Sequence, residues 1–227
     1  MKKLIVAIDG PSGAGKSTLS KELSRQLAYL NIDTGAMYRS VALLAQQRRI
    51  DPHDHAALEA LCADLNIEFC QEGTGERVIL NGVDVSTQIR TPEISLLTAE
   101  VAACPAVRAA MVRLQRKMGE KGGVVLEGRD IGTVVFPHAD VKFFLSASAE
   151  ERGRRRYEEL SSRGAGVTLR QTIAEVEARD VADTQRAHAP LRQASDAVVI
   201  DSTQMSIVEV LNRMLKVVRQ REQGGTA

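Results

Sequence analysis

Ile8-Asp9-Gly10-Pro11-Ser12-Gly13-Ala14-Gly15-Lys16-Ser17-Thr18 decides how the rest of the chain is read. From Gly10 to Ser17 it fits G-x-x-x-x-G-K-[ST]. An apolar run, Leu4 to Ile8, precedes it, and Leu19, Leu23, Leu27 and Leu30 follow on one helical face. Strand, loop and helix in that order are the context a phosphate-binding loop needs. Glycines let successive backbone N–H groups converge on phosphate oxygens, and the helix start adds positive potential. Lys16 is expected to reach the β/γ phosphates of a nucleotide, and the Ser17 hydroxyl to help hold Mg²⁺. A plain tight turn explains the glycines but not Lys16 and Ser17 in register.

Working outward, apolar runs alternate with helical periodicity, the pattern of an α/β fold. Tyr29 to Asp33 reads as a short strand and Met37 to Gln47 as a helix. Asp51-Pro52 reads as an N-cap followed by a proline at the first helical position, with Leu58, Leu61 and Leu65 continuing that helix. Residues 76–86 alternate with period two on either side of Asn81-Gly82, a strong hairpin signal. With Ile67 to Cys70 they suggest a small antiparallel insert at about 66–90. Thr91-Pro92-Glu93 opens a further helix, Pro105 interrupts or restarts it, and Gly122-Gly123 ends the segment. Val124 to Glu127, Val141 to Leu145 and Ala197 to Asp201 read as strands. Ser148 with Glu151, Thr168 with Gln171, and Ser206 with Glu209 have capping-box spacing. Glu222 to Ala227 reads as a polar tail expected to fray.

Composition bounds the function. The 227 residues are 44% hydrophobic and 26% charged, an ordinary globular balance. Thirty Lys and Arg against 29 Asp and Glu leave a net charge of +1, with no basic excess to hold a nucleic-acid backbone. Aromatics are 3% with no Trp, too few for base-stacking platforms. Cys62, Cys70 and Cys104 form no CxxC pair and read as small hydrophobes in a reducing compartment. His53, His55, His138 and His188 show no metal-ligand spacing beyond His53-x-His55, which reads as solvated. The N-terminal apolar run is too short for a secretion signal, and no stretch approaches the ~20 apolar residues of a membrane span. A cytoplasmic protein without membrane or nucleic-acid partners is expected.

A phosphate loop does not name a reaction, so the second substrate matters. Asp33-Thr34-Gly35-Ala36-Met37-Tyr38-Arg39 stands where a strand hands over to a helix. Thr34, Arg39 and the helix start suit a second phosphate monoester, although in isolation they also read as an N-cap with a solvated arginine. Glu127-Gly128-Arg129-Asp130 follows a buried strand, where open α/β sheets collect ligands; a surface ion pair is the plain alternative. Glu151-Arg152-Gly-Arg154-Arg155-Arg156 crowds positive charge at a helix start, against the dipole, and so calls for a compensating anion such as a triphosphate. Arg179, Asp183 and Arg186 share a helical face by spacing.

Together these motifs resemble the bacterial cytidylate (CMP) kinases. The likeness rests on G-P-S-G-A-G-K-S, D-T-G-A-M-Y-R, the antiparallel insert, E-G-R-D-I-G-T-V-V-F-P, the arginine cluster and R-D-x-x-D-x-x-R-x-x-A-P-L, in order from residue 4 to about 202. It implies a P-loop nucleoside-monophosphate kinase fold: a five-stranded parallel sheet flanked by helices, a small antiparallel β insert and a helical lid. One kinase domain would comprise a core (1–65, 91–151, 168–227), the monophosphate-binding insert at about 66–90 and the lid at about 152–167. The implied reaction is transfer of the ATP γ-phosphoryl group to CMP or dCMP, with Mg²⁺, by a monomer.

By the same resemblance, Gly10, Pro11, Ser12, Gly13, Ala14, Gly15, Lys16, Ser17, Thr18 and Arg155 would bind ATP. Lys16, Arg129, Arg152 and Arg156 would act in catalysis. Thr34, Arg39 and Arg129 would hold the CMP phosphate, and Tyr38 would also bind the substrate. Arg108, Asp130 and Arg186 would face cytosine, with Arg179 and Asp183 near the ribose. Three positions depart from the usual pattern. Thr34 stands where serine is also familiar, Glu127 replaces the aspartate of D-G-R-D, and Ala99 stands where a serine can touch the base, with Thr98 as the substitute. The rival readings are a kinase for another small molecule and a P-loop switch or nucleic-acid ATPase. Against the switch, the chain has no N-K-x-D motif.

Overall fold

A computed structural model describes residues 3–72, 75–162, 164, 166–186 and 189–224. Contacts divide the chain into two compact units: 1–31 with 121–227, and 32–120. The division falls between Asn31 and Ile32.

The first unit begins with β1 (Ile5–Asp9), followed by the phosphate loop and α1 (Lys16–Leu27). Helix α1 stops one turn earlier than the leucine spacing predicts. Ala28 adopts a left-handed conformation (φ 53°) and its N–H closes back on Arg25 and Ser24 carbonyls, so Leu30 becomes the exposed first residue of β2 (Leu30–Asp33) instead of a helical core position. With strands numbered along the whole chain, β6 (Val124–Gly128), β7 (Val141–Ser146) and β8 (Val198–Asp201) join the same parallel sheet, in the order β2-β6-β1-β7-β8. Strands buried on both faces need continuous apolar runs, which explains Ile5-Val-Ala-Ile and Val124-Val-Leu. Val6, Ile8, Leu19, Leu23, Phe143, Leu145, Ile200, Val210 and Met214 form the core between this sheet and its helices.

In the second unit, α2 (Thr34–Gln47) starts three residues before the periodicity shows, because Asp33 caps it by accepting from Ala36 N (2.8 Å). Helix α3 (His55–Ala63) begins at Asp54, not Asp51. Asp51 instead accepts from His53 N in a turn, Asp54 caps Ala57 N, and Leu65 lies beyond the helix although buried. β3 (Ile67–Glu72), β4 (Gly75–Leu80) and β5 (Val83–Asp84) make the antiparallel sheet. Asn81 (φ 49°) and Gly82 (φ 82°) both take positive φ, as a tight hairpin turn requires. A short 3-10 turn at Gln88–Arg90 leads to α4 (Pro92–Val101), capped by Thr91, and Pro105 starts a new helix, α5 (Pro105–Gly119). Helix α2 packs on α3, α4 and α5.

Back in the first unit, α6 (Ala149–Ser162) packs along α7 (Leu169–Thr184), and α8 (Ile207–Glu222) closes the chain against α1. Gly153 marks the close approach of α6 and α7, since a Cβ there would stand 2.4 Å from Ile173 Cγ1. The boxes at Thr168/Gln171 and Ser206/Glu209 form in full. At Ser148 only half forms. Glu151 N donates to Ser148 Oγ (3.2 Å), but Ser148 N is taken by Thr203 Oγ1 and Glu151 turns to arginines. Glu222, expected in a fraying tail, is instead the last residue of α8 and accepts a 2.7 Å hydrogen bond from the Tyr29 hydroxyl. The rest of the expected tail includes 225–227, outside the described residues, as is His188. His53, His55 and His138 are exposed. Among the described residues no single helix is long and apolar enough to cross a membrane.

Candidate active site

The phosphate loop is shaped by backbone that only glycine accepts. Gly10 has φ 149°, and a Cβ there would lie 2.1 Å from the Leu145 carbonyl oxygen of β7. Gly13 (φ 77°) faces Arg152, and Gly15 (φ 89°) caps α1 without a side chain. Lys16 folds back over the loop, donating from Nζ to the Pro11 carbonyl at 2.6 Å, and is only 5% exposed. Burial and the nearby Arg129 charge push its pKa down to about 7, while Glu127, Asp9 and Asp183 pull it back up. Ser17, at the exposed start of α1, donates from Oγ to Glu127 Oε1 at 2.8 Å. Thr18 is exposed beside it, Ala14 is buried, and the Ser12 carbonyl accepts from Arg152 (3.1 Å).

Arg129 leaves the end of β6, sends Nε to Asp183 Oδ2 (2.6 Å) and Nη1 to the Gly128 carbonyl (3.3 Å). Arg186, just past the end of α7, also pairs with Asp183. Burial would raise the Asp183 pKa, but Arg129, Arg186 and Arg179 together hold it below the usual carboxylate range. The Arg179 side chain reaches solvent, yet its guanidinium loses hydration among protein atoms. That loss, with the charges of Arg129, Arg186 and Arg156, lowers its pKa against the pull of Asp183. Asp130 is buried.

The arginine cluster on α6 is compensated differently from the sequence expectation. Its anions come from the chain itself. Arg152 grips Asp180 through two bonds (2.9 and 2.5 Å) and the Ala147 carbonyl through Nε (2.8 Å). Glu151 receives Arg154 and Arg155 (2.8 Å each), and Arg156 pairs with Glu159 (3.0 Å). Arg155 also reaches the Ser202 carbonyl (2.7 Å). The predicted lid span, 152–167, holds most of α6 and the turn to α7; Arg163 and Ala165 in it lie outside the described residues.

In the second unit, Asp33 Oδ2 accepts from Arg39 Nη2 (3.1 Å), while Arg39 Nε is buried without a partner. Thr34 is buried at the first position of α2. Arg108, on α5 and 9% exposed, lies over the Tyr38 ring at 5.9 Å, a cation–π geometry. Thr98 Oγ1 donates to the Ile94 carbonyl one turn back on α4 (2.5 Å), which commits its proton.

The structure thus brings Lys16, Ser17, Glu127, Arg129 and Asp183 into one electrostatic neighbourhood within the first unit, with Arg179 and Arg186 joining through Asp183. Two acidic residues of the first unit were missed as site candidates. Asp9 accepts backbone N–H groups of Ile131 and Gly132, and Asp180 anchors Arg152. Asp9 is visible in the sequence only as the acid ending an apolar strand. Asp180 is visible only as the neighbour of Arg179.

The donor set at Ser17 suits the metal that the phosphate loop implies. A hydroxyl and a carboxylate 2.8 Å apart are hard oxygens, and Mg²⁺ is bound through few protein oxygens together with phosphate and water.

Comparison with known proteins agrees with this picture. The family model described as cytidylate kinase matches residues 6–220. A cytidylate kinase of Syntrophotalea carbinolica is 64% identical over 222 residues, covering 98% of this chain and 94% of its own. One from Geobacter sulfurreducens is 61% identical over 219 residues, 96% of this chain and 94% of its own. In fold, the chain resembles the crystal structure of an uncharacterized protein from Eubacterium ventriosum, with a TM-score of 0.54 over 96% of this chain and 99% of that one at 10% identity. A match spanning almost every residue, from β1 to α8, leaves one assignment: the chain belongs to the cytidylate kinase family.

Proposed function

We infer that the protein phosphorylates CMP and dCMP with ATP, giving the diphosphates and ADP. The observation that carries this reading is the crowding of positive charge around the phosphate loop. Lys16, Arg129, Arg179 and Arg186 gather about Asp183, and burial first, then the charge of Arg129, lowers the pKa of both Lys16 and Arg179, so these cations repel one another. Phosphate groups relieve that repulsion, and so bind.

The Gly10–Thr18 loop is the ATP phosphate site, with Lys16 on the β/γ phosphates. Ser17 and Glu127 would hold Mg²⁺, which when bound neutralises phosphate charge. Thr34, Arg39 and Arg129 serve the acceptor phosphate, and Tyr38 also binds the substrate. Arg108, Asp130 and Arg186 read the base, and Arg179 and Asp183 lie at the ribose. An acceptor carboxylate such as Asp130 suits the cytosine amino group, and arginine donors suit its ring acceptors. Arg152, Arg155 and Arg156 exchange carboxylate partners for ATP phosphates as the 152–167 segment closes and excludes water. The nucleophile is a phosphate oxygen already ionised near neutral pH, so no general base is required. Catalysis is positioning plus spreading of negative charge onto lysine and guanidinium groups. Residues 66–90 act as the acceptor-side insert, and the enzyme works as a monomer.

A coupled ADP-release assay across nucleoside monophosphates tests the reading. CMP and dCMP should be the best acceptors. Phosphorylation of UMP or shikimate without CMP would sink it.

A further inference from the structure

Asp9, the last residue of β1, has none of the roles given above. It is 4% exposed, and each carboxylate oxygen accepts one backbone N–H: Oδ1 from Ile131 at 2.8 Å, Oδ2 from Gly132 at 2.7 Å. Asp9 directly precedes Gly10, and Ile131 directly follows Arg129-Asp130. One buried side chain therefore ties the foot of the phosphate loop to the segment that carries Arg129 and Asp130.

The sheet does not do this by itself. Parallel pairing of β1 with β6 ends at Asp9 opposite Gly128, and the chain then leaves the ladder in a wide π-type turn, Ile131–Val135. Inside that turn the Asp130 carbonyl accepts from Val134 N (2.8 Å) and Val135 N (3.1 Å), so these bonds close the turn on itself and do not tie it to the sheet. Asp9 holds it from one side. On another, Gly132 sits so close that a Cβ would stand 3.1 Å from Lys142 Cδ and 3.3 Å from Asp9 Oδ2. Lys142 is itself held by the Pro137 carbonyl (2.6 Å) and Asp196 (2.8 Å).

The residue type is specific to the task. The two N–H donors here meet two separate oxygens, and among side chains only a carboxylate supplies two acceptor atoms without bringing a donor. Burying that charge is costly. Burial lifts the Asp9 pKa to about 6, with Asp130 adding to the rise, while the two N–H groups and Lys16 oppose it. A strand end whose only task was to close a core would be cheaper with an apolar side chain.

We propose that Asp9 is a positioning residue for phosphoryl transfer, its two hydrogen bonds setting where Arg129 and Asp130 stand relative to Lys16. The proposal rests on the reading of Arg129 as a ligand of the acceptor phosphate.

Asp9→Asn and Gly132→Ala test it. Asparagine offers one acceptor and one donor, so one N–H meets another donor; a Cβ at 132 presses on Lys142 Cδ and Asp9 Oδ2 and disturbs the same clamp more mildly. In folded Asp9→Asn kcat should fall about 100-fold and in folded Gly132→Ala about tenfold, while the dissociation constant for ATP changes less than about threefold, because a misplacement of ~1 Å costs about 100-fold without touching the ATP phosphates. Amide exchange at Ile131 and Gly132 should accelerate in the ligand-free Asp9→Asn protein. A kcat within about threefold of the parent, an ATP affinity lost in step with kcat, or unchanged exchange at both amides would overturn the proposal. The exchange comparison needs no substrate, so it separates failure of the Asp9 clamp from failure of the CMP assignment.

Discussion

Ser17 Oγ donates a 2.8 Å hydrogen bond to Glu127 Oε1, joining the phosphate loop to the end of the neighbouring strand β6. The pair spans 110 residues of sequence and puts a carboxylate directly on the loop hydroxyl. Glu127 is buried, so its charge acts at short range on Ser17 and Lys16.

Glu127→Gln keeps the shape and an acceptor for Ser17 but removes the charge. The Mg²⁺ concentration for half-maximal activity should rise roughly tenfold or more, since even an indirect partner of a metal site costs this much when lost. Binding of metal-free ATP should stay the same or tighten, since an anion near phosphate is lost. Unchanged magnesium dependence would exclude Glu127 from the metal site.

Arg129→Lys keeps a cation but cannot span Asp183, the Gly128 carbonyl and a phosphate at once. We expect kcat/KM for CMP to drop about 100-fold or more, the scale of one lost transition-state donor. Near-parental turnover in steady-state assays would remove Arg129 from the acceptor clamp.

Asp9 and Lys16 make stability depend on pH in opposite directions. Asp9 is raised from 3.8 to about 6, so between about pH 4 and 6 the native state keeps a proton that the unfolded chain has lost, and stability falls as pH rises. Lys16 is lowered from 10.5 to about 7, so between those values the unfolded chain holds the extra proton and stability rises with pH. Urea unfolding of Asp9→Asn against the parent should show the difference shifting in favour of the variant from pH 4 to 6, then levelling. A difference independent of pH would mean that Asp9 titrates as an ordinary surface aspartate.

Two glycines with positive φ should respond very differently to alanine. At Gly10 the new Cβ meets the β7 backbone at Leu145, which cannot yield, so Gly10→Ala should lose about 3 kcal/mol or more, or fail to fold. At Gly82 (φ 82°) nothing lies within 4 Å, and only the left-handed backbone is penalised, by about 1–2 kcal/mol. Thermal or urea midpoints for the pair decide this, and equal losses would contradict the close approach at Gly10.

The boundaries misread in the sequence share a cause. Asp51 and Asp54 are both able to cap α3, and local spacing does not rank them; each ends up bonded to an N–H two or three residues on, and only Asp54 is followed by helix. Leu30 continues the α1 periodicity, yet the left-handed turn at Ala28 sends it to a sheet edge. Ser148 has the right residue three positions on, but Thr203, 55 residues away, takes its N–H.

By itself the sequence determined whatever depends on neighbours along the chain: the glycine-built loop, Lys16 and Ser17 in register, the Asn81-Gly82 hairpin, the caps at Thr168 and Ser206, and the alternation that makes a parallel sheet. Backbone sterics and short hydrogen bonds act over a few residues, so residue types alone carry them. Only the tertiary structure decided which charge answers which. Arg152 met Asp180, Arg129 met Asp183, Ser17 met Glu127, and Asp9 met the Ile131 and Gly132 amides, at separations of 28, 54, 110 and 122–123 residues. A guanidinium or carboxylate carries no mark of its partner. Packing of the apolar strands and helices fixes that partner, and with it whether a cluster of arginines stands bare for a ligand or already neutralised.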